Sequence, residues 1–128
     1  MEPPANPGRF NTANIAYQSR HRSEGTVYVA TSRSLGLVKI GGATDLNKRI
    51  QTLRNQSYAG ASDWDVLVYA VVAEYGRVEK EIQDKLYAHK TTRHYWKDGS
   101  IQDATEVFAC TYAEAKDAFD CVLSQGQS

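Results

Sequence analysis

The stretch TVYVATSRSLGLVKIGGATDLNKRIQTLR, residues 26–54, constrains the fold of this chain more than any other part. Two β-rich runs, at residues 26–31 and 37–40, flank a Ser-Leu-Gly turn signal, which predicts an antiparallel hairpin. Because successive side chains of a strand point to opposite faces, Tyr28 and Lys39 each lie away from their apolar neighbours. We therefore expect Tyr28 and Lys39 to share one face of the hairpin.

A helix is predicted directly after the hairpin, over residues 46–55. Two leucines and an isoleucine recur there at i, i+4 and i+7, which indicates one buried stripe. Thr44 or Asp45 stands where an N-cap residue belongs. Arg49 falls at the border of the buried stripe, so we expect its side chain to stay close to the sheet.

The second half of the chain predicts a further strand and helix. Residues 64–73, WDVLVYAVVA, are rich in valine and predict the central strand of a small sheet. An apolar stripe at helical spacing predicts a second helix over residues 77–89, with Glu79 at its border. A polar tract containing a turn follows at residues 90–103, and residues 106–110 predict a short edge strand.

Thr111 and Glu114 match a capping box at the start of a third helix. Together these elements predict a single α/β (α+β) domain over residues 25–124. Its core is a small three-stranded antiparallel sheet flanked by about three helices. Residues 1–24 are rich in Pro, Asn, Ser, Arg and Ala without apolar periodicity, which predicts a flexible N-terminal arm.

The composition, with 41% hydrophobic and 23% charged residues, is typical of a globular domain in water. No apolar run approaches the ~18 residues needed to cross a bilayer, and the N-terminus lacks a signal-peptide core. We therefore expect a cytoplasmic protein without membrane partners. Cys110 and Cys121 lack zinc-site spacing, so free, buried thiols are expected.

The net charge of zero hides a division between the two halves of the chain. Residues 1–58 carry eight Lys/Arg and three acids, whereas residues 59–128 carry seven Lys/Arg and twelve acids. This asymmetry is typical of a polyanion-binding face on an acidic body. The glycine pair before the first helix could also hold a phosphate at that helix N-terminus. The candidate DNA-binding residues are Arg20, Arg22, Arg33, Gly41, Gly42, Lys48 and Arg54.

Five segments in a fixed order resemble the GIY-YIG nuclease superfamily, in particular its short, stand-alone and phage-type branch. The segments are TVY at 26–28, KIG at 39–41, TD at 44–45, Arg49 and Glu79. The resemblance implies a GIY-YIG-like domain and a metal-dependent DNA endonuclease.

The chain departs from the family pattern at several positions. Thr26 stands in place of the first family glycine, and Lys39 in place of the second tyrosine. Leu53 stands where some members carry a histidine, and the asparagine that often follows the family glutamate has no clear match.

The resemblance assigns catalysis to Tyr28, Lys39 and Arg49, and divalent metal binding (Mg²⁺ or Mn²⁺) to Glu79. Arg49 would clamp the phosphate, and one carboxylate would hold a metal completed by water and phosphate oxygens. Either Tyr28 or Lys39 would be the general base. A tyrosine needs a neighbouring cation to favour its deprotonated form at neutral pH, and a lysine needs partial desolvation. We expect the four side chains to converge on one concave surface.

Two other functions are consistent with the sequence. One is a DNA-binding module of the same fold that does not cleave. The other is a protein-interaction adaptor whose acidic half contacts a partner. Steep salt dependence of DNA affinity would separate the first from the second.

Overall fold

The structure is a computed structural model that describes residues 24–126. The predicted N-terminal arm, with Arg20 and Arg22, lies outside these residues. Five strands form one antiparallel sheet in the order β3-β1-β2-β5-β4. The strands are β1 Gly25–Ser32, β2 Leu37–Ala43, β3 Trp64–Val72, β4 Lys90–Lys97 and β5 Ser100–Phe108. The helices are α1 Leu46–Asn55, α2 Tyr75–Lys85 and α3 Tyr112–Gly126, with 3₁₀ turns at Tyr58–Gly60 and Tyr87–His89.

The β1–β2 hairpin is confirmed, and it is buried on both faces. Tyr28 and Ala30 pack with Leu53 of α1 and with Trp64, on what we call the front face. Val27 and Val29 pack with α2 and α3, on the back face. The alternation of side chains along β1 thus divides the core into two layers.

The predicted number of strands is wrong, because the polar tract at residues 90–103 is also β-structure. It forms β4 and the start of β5, joined by Asp98 and Gly99, both at positive φ (53° and 80°). Such a two-residue turn closes a hairpin whose strand twist it matches. The tract was overlooked because both of its faces meet solvent over much of its length, so apolar alternation is absent.

The predicted positions within the sheet are also corrected. β3 is an edge strand instead of the central one, and β5 lies between β2 and β4 instead of at the edge. A valine-rich run indicates a strand but not how many neighbours it has. β3 carries apolar side chains on its outward positions, which made it resemble a strand covered on both sides.

The helix predictions hold best where a local cap defines the start. α1 spans the predicted residues, and the Asp45 carboxylate accepts the backbone N–H of Lys48. At α3, the backbone N–H of Glu114 donates to Thr111 Oγ1 and that of Thr111 donates to Glu114 Oε1, which confirms the capping box. α2 begins two residues earlier than predicted and ends at Lys85, before a 3₁₀ turn.

Within residues 24–126, no helix is long and apolar enough to cross a membrane. Both cysteines are free thiols, as predicted. Their predicted burial is wrong, since Cys110 is half-buried after the end of β5 and Cys121 is exposed on α3.

Candidate functional site

Tyr28 and Lys39 lie together on the front face of the sheet, as the alternation of the hairpin predicted. Lys39 Nζ lies 5.7 Å from the centre of the Tyr28 ring. Tyr28 is fully buried and Lys39 only 2% exposed. A lysine is almost never buried to this extent without a counter-charge.

Glu106 of β5 supplies that counter-charge. Lys39 Nζ donates a hydrogen bond of 2.7 Å to Glu106 Oε1, and the ring centre of Tyr58 lies 5.1 Å from the same nitrogen. Burial by itself lowers the pKa of Lys39. Electrostatic attraction to Tyr28 and Glu106, together with the hydrogen bond to Glu106, outweighs burial and raises the pKa of Lys39 above its ordinary value. Lys39 is therefore held as an ammonium, which does not suit a general base.

A β-bulge aims Glu106 at Lys39. Thr91 of β4 is opposite Val107, and Arg93 is opposite Ala104, so Thr92 alone faces two residues of β5. The extra residue breaks the alternation of side chains along β5 and turns Glu106 towards the front face. Sequence reasoning missed Glu106 and Tyr58 as neighbours of Lys39. A strand pattern contains no signal for a bulge of this kind.

The hydroxyl of Tyr28 is buried and has no hydrogen-bond partner among the described residues. The ring and hydroxyl lie over Gly41, where a Cβ would collide with both. A buried, unpaired hydroxyl costs roughly 1–3 kcal/mol. A site that tolerates this cost is a candidate for a functional one.

Glu79 reaches the same strand from α2, on the back face. Its side chain is 2% exposed, and Gln83 Nε2 donates both to Glu79 Oε2 (3.2 Å) and to the carbonyl oxygen of Ile40 (3.0 Å). A Cβ at Gly42 would lie 2.8 Å from Glu79 Oε1. Glycine is therefore needed at this position for the carboxylate to approach the backbone of β2.

Glu79 does not share a concave surface with Tyr28, so that part of the prediction is wrong. Gly41 faces Tyr28 and Gly42 faces Glu79, and neighbouring residues of a strand point to opposite sides. The two faces come together at the free edge of β2. β5 pairs with β2 only at Val38 and Lys39, which leaves residues 40–43 without a neighbouring strand on that side. We call residues 40–43 the open edge.

Arg49 lies at the open edge on the front side. Its guanidinium Nη1 donates to the carbonyl oxygen of Gly42 at 3.3 Å, and the rest of the side chain is exposed. Arg49 and Lys48 line a cleft of about 270 Å³ together with Thr44 and Asp45. Two cations beside an open backbone edge form a surface suited to a phosphate.

The remaining candidate DNA-binding residues lie elsewhere. Arg54 Nε donates to the carbonyl oxygen of Trp64 and its Nη2 to Asp65, both at 2.7 Å, so this arginine joins α1 to β3. Arg33 is exposed in the β1–β2 turn, at the opposite end of the hairpin from Gly42. Gly41 and Gly42 are buried within β2, where they make room for the Tyr28 and Glu79 side chains; their predicted contact with phosphate stays a prediction.

The residues at the open edge fit a metal that takes most of its ligands from water and substrate. Among the described residues, no three His, Cys, Asp or Glu side chains group as a metal cage. Glu79 offers a hard carboxylate oxygen beside the backbone of β2 at Gly42. Mg²⁺ commonly binds through one or two carboxylates, several waters and phosphate oxygens. Glu79 is therefore a suitable, single protein ligand for such an ion.

Comparison with known proteins gives one family. The family model of the T5orf172 domain, a phage-type domain associated with GIY-YIG- and HNH-like nucleases, matches residues 25–123. No curated protein and no solved structure matches the chain.

Proposed function

Since the chain belongs to the T5orf172 domain family, we propose that it is a metal-dependent endonuclease that hydrolyses DNA phosphodiester bonds. The observation that carries the proposal is the buried hydroxyl of Tyr28, which has no hydrogen-bond partner within residues 24–126 and lies beside the ammonium of Lys39. An acceptor for a proton and a fixed cation in a water-poor site are what activation of a water nucleophile requires.

Tyr28 is the general base in this proposal, and Lys39 its permanent cation. The ion pair with Glu106 and the raised pKa of Lys39 keep the ammonium protonated, which opposes the alternative of a lysine base. Tyr28 acts as its phenolate, which forms when the phenol releases its proton to solvent and which has the positive charge of Lys39 across the ring. The proton of the attacking water then passes to Tyr28 Oη as the water oxygen bonds to phosphorus and the bond from phosphorus to the leaving oxygen breaks. The leaving oxygen takes its proton from solvent.

Arg49 and Glu79 act on the phosphate from the two sides of the open edge. The exposed guanidinium of Arg49 binds non-bridging oxygens and stabilises the charge that develops on them. Glu79 would hold a divalent ion, Mg²⁺ or Mn²⁺, which would supply Lewis-acid polarisation of the phosphate. Gln83 orients the Glu79 carboxylate through its amide N–H.

A DNA-binding module of the same fold that does not cleave is the second candidate. It is favoured by the placement of Tyr28 and Glu79 on opposite faces of the sheet, because a base and a metal ligand must reach the same phosphate. The two candidates share the basic cleft at Lys48 and Arg49 and differ only in chemistry.

The deciding experiment is incubation of supercoiled plasmid with the purified full chain, with Mg²⁺ or Mn²⁺ and with chelator. The endonuclease proposal expects metal-dependent nicking that is lost in Glu79→Gln, with DNA affinity unchanged or slightly higher. Glu81→Gln is the matched control, since Glu81 lies on the same helix but is exposed and paired with Arg77.

Three results would lead to other conclusions. Salt-dependent DNA binding without nicking supports the second candidate. Nicking at full rate by Glu79→Gln shows that the activity arises from another site. DNA affinity that is indifferent to salt contradicts both candidates and favours the adaptor.

A further inference from the structure

Strands β4 and β5 form a two-stranded ribbon that leaves the sheet beside the open edge. β5 is joined to β2 only at Val107 and Phe108, whereas β4 and β5 pair along the whole ribbon to Lys97 and Ser100. Residues 100–106 extend past the last β2 pairing by roughly 20 Å at about 3.3 Å per residue. β5 is antiparallel to β2, so this extension leads in the same direction as residues 40–43 but does not pair with them.

The end of the ribbon carries an exposed apolar pair. Trp96 and Ile101 are cross-strand partners and are 67% and 61% exposed. They lie on the back face next to the Asp98–Gly99 turn. Trp64, the other tryptophan of the chain, is fully buried. Because these two large apolar side chains are exposed on an otherwise polar ribbon, they indicate a surface that contacts a ligand, since they contribute little to the core.

The charges of β4 indicate what that surface meets. β4 carries Lys90, Arg93, His94 and Lys97 and no acidic residue, whereas the acids of the ribbon are Asp98 in the turn and Asp103 and Glu106 on β5. Glu106 is paired with Lys39. His94 is paired with Asp103 at 2.6 Å. Within residues 24–126, Arg93 and Lys97 form no ion pair with a carboxylate, although Arg93 Nε donates to the carbonyl oxygen of Ala59 at 3.2 Å. Both cations lie along an outer edge of the sheet, where a polyanion can reach them.

We propose that the β4–β5 ribbon is an arm that enters a groove of duplex DNA. Arg93 and Lys97 contact phosphates, and the Trp96–Ile101 pair packs on sugars and base edges. A two-stranded ribbon has the width that the major groove admits. The identity of the polyanion rests on the proposed function. The arm would hold the duplex beside the open edge, near the exposed guanidinium of Arg49.

Tryptophan fluorescence tests the arm directly, with a short duplex oligonucleotide in chelator so that no cleavage intervenes. DNA should change the emission of the full chain and protect it from acrylamide quenching. Trp96→Phe should abolish both effects while keeping most of the affinity, because the remaining Trp64 is buried. Leu67→Ala, an exposed apolar change on β3 at the other edge of the sheet, should leave both effects intact.

Affinity measured against salt gives the second readout. Lys97→Ala should weaken binding and reduce the slope of log K against log salt by about one. Lys116→Ala, which removes an exposed lysine of α3, should leave the slope unchanged. The double change Trp96→Ala with Ile101→Ala should weaken binding roughly tenfold, the scale of one lost aromatic contact to nucleic acid.

Several outcomes would contradict the proposal that the β4–β5 ribbon enters a groove of DNA. Salt-dependent DNA binding with unchanged Trp96 fluorescence would place the duplex elsewhere. Metal-dependent nicking by the same protein, assayed without chelator, would then leave the endonuclease proposal standing. A fluorescence change that follows protein concentration without DNA would assign the apolar pair to self-association. Absence of DNA binding would contradict the arm and the proposed function together.

Discussion

Lys39 and Glu106 are 67 residues apart in the sequence and form an ion pair of 2.7 Å beneath the front face of the sheet. The lysine side chain is 3% exposed and the glutamate side chain 33%. The pair joins β2 to β5 at the point where the two strands separate. The same ion pair therefore stabilises the sheet and holds the ammonium of Lys39 beside Tyr28.

Glu106→Gln should lower the free energy of unfolding by roughly 3 kcal/mol at pH 7, measured by urea denaturation. The variant leaves a buried ammonium without its counter-charge, and the low end of the usual range applies because Glu106 remains one-third exposed. Glu81→Gln breaks an exposed pair of the same 2.7 Å length and should cost under about 1 kcal/mol. Equal losses in the two variants would contradict the buried-pair account.

The cost of Glu106→Gln should depend on pH in one direction. The pKa of Lys39 is raised on folding, so its contribution is fully present below the unfolded value near 10.4 and is lost as pH rises further. In the variant burial lowers the pKa of the unpaired Lys39, so the stability difference between the wild type and the variant should shrink as pH rises from 7 and shrink further above about 10. Adding Lys39→Met should recover part of the loss, because the unpaired charge is gone.

Tyr28→Phe should separate stability from activity. Removing the buried, unpaired hydroxyl should raise the free energy of unfolding by about 1 kcal/mol. The same change should slow nicking on the order of 10²–10⁴-fold if Tyr28 is the general base. Tyr69→Phe, at an exposed position of β3, should alter neither quantity. Nicking by Tyr28→Phe at the wild-type rate would show that Tyr28 packs in the core and is not the general base.

Gly41→Ala and Gly42→Ala should affect different steps. A methyl at residue 41 collides with Tyr28, whereas one at residue 42 meets Glu79 Oε1 and Tyr75 Cδ2, both at 2.8 Å. Each variant should lose roughly 1–3 kcal/mol of stability by overpacking. Gly41→Ala should lower the nicking rate at saturating metal, and Gly42→Ala should raise the metal concentration needed for half-maximal rate. Identical metal titrations for the two variants would argue against separate roles.

Arg49→Ala and Arg54→Ala form a matched pair on one helix. Arg49 has only a 3.3 Å bond to a carbonyl, so its loss should reduce DNA affinity and nicking with little change in melting temperature. Arg54 donates hydrogen bonds of 2.7 Å to Trp64 and Asp65. Its loss should lower the free energy of unfolding by about 1 kcal/mol and therefore the melting temperature by a few degrees. DNA affinity should be unchanged at temperatures where the variant is folded. The reverse pattern would move the phosphate contact from residue 49 to residue 54.

Prediction from sequence succeeded where an interaction is closed within a few residues. The Asp45 cap, the span of α1 and the capping box at Thr111 depend on local backbone geometry and were all correct. Alternation along a strand likewise placed Tyr28 and Lys39 on one face. Strand β4 was not predicted, because a strand that is solvent-exposed on both faces lacks the apolar alternation from which strands are recognised.

The hairpin, the helices with their caps and the shared face of Tyr28 and Lys39 follow from local sequence, because each depends on the 2.0 or 3.6 residue period of a continuous segment. The ion pair of Glu106 with Lys39 and the approach of Glu79 from the back face depend instead on long-range packing. A bulge in β5 reverses the local alternation, and the path from β3 into α2 selects a side of the sheet. Neither is encoded in a local period, since both depend on which distant segments pack together.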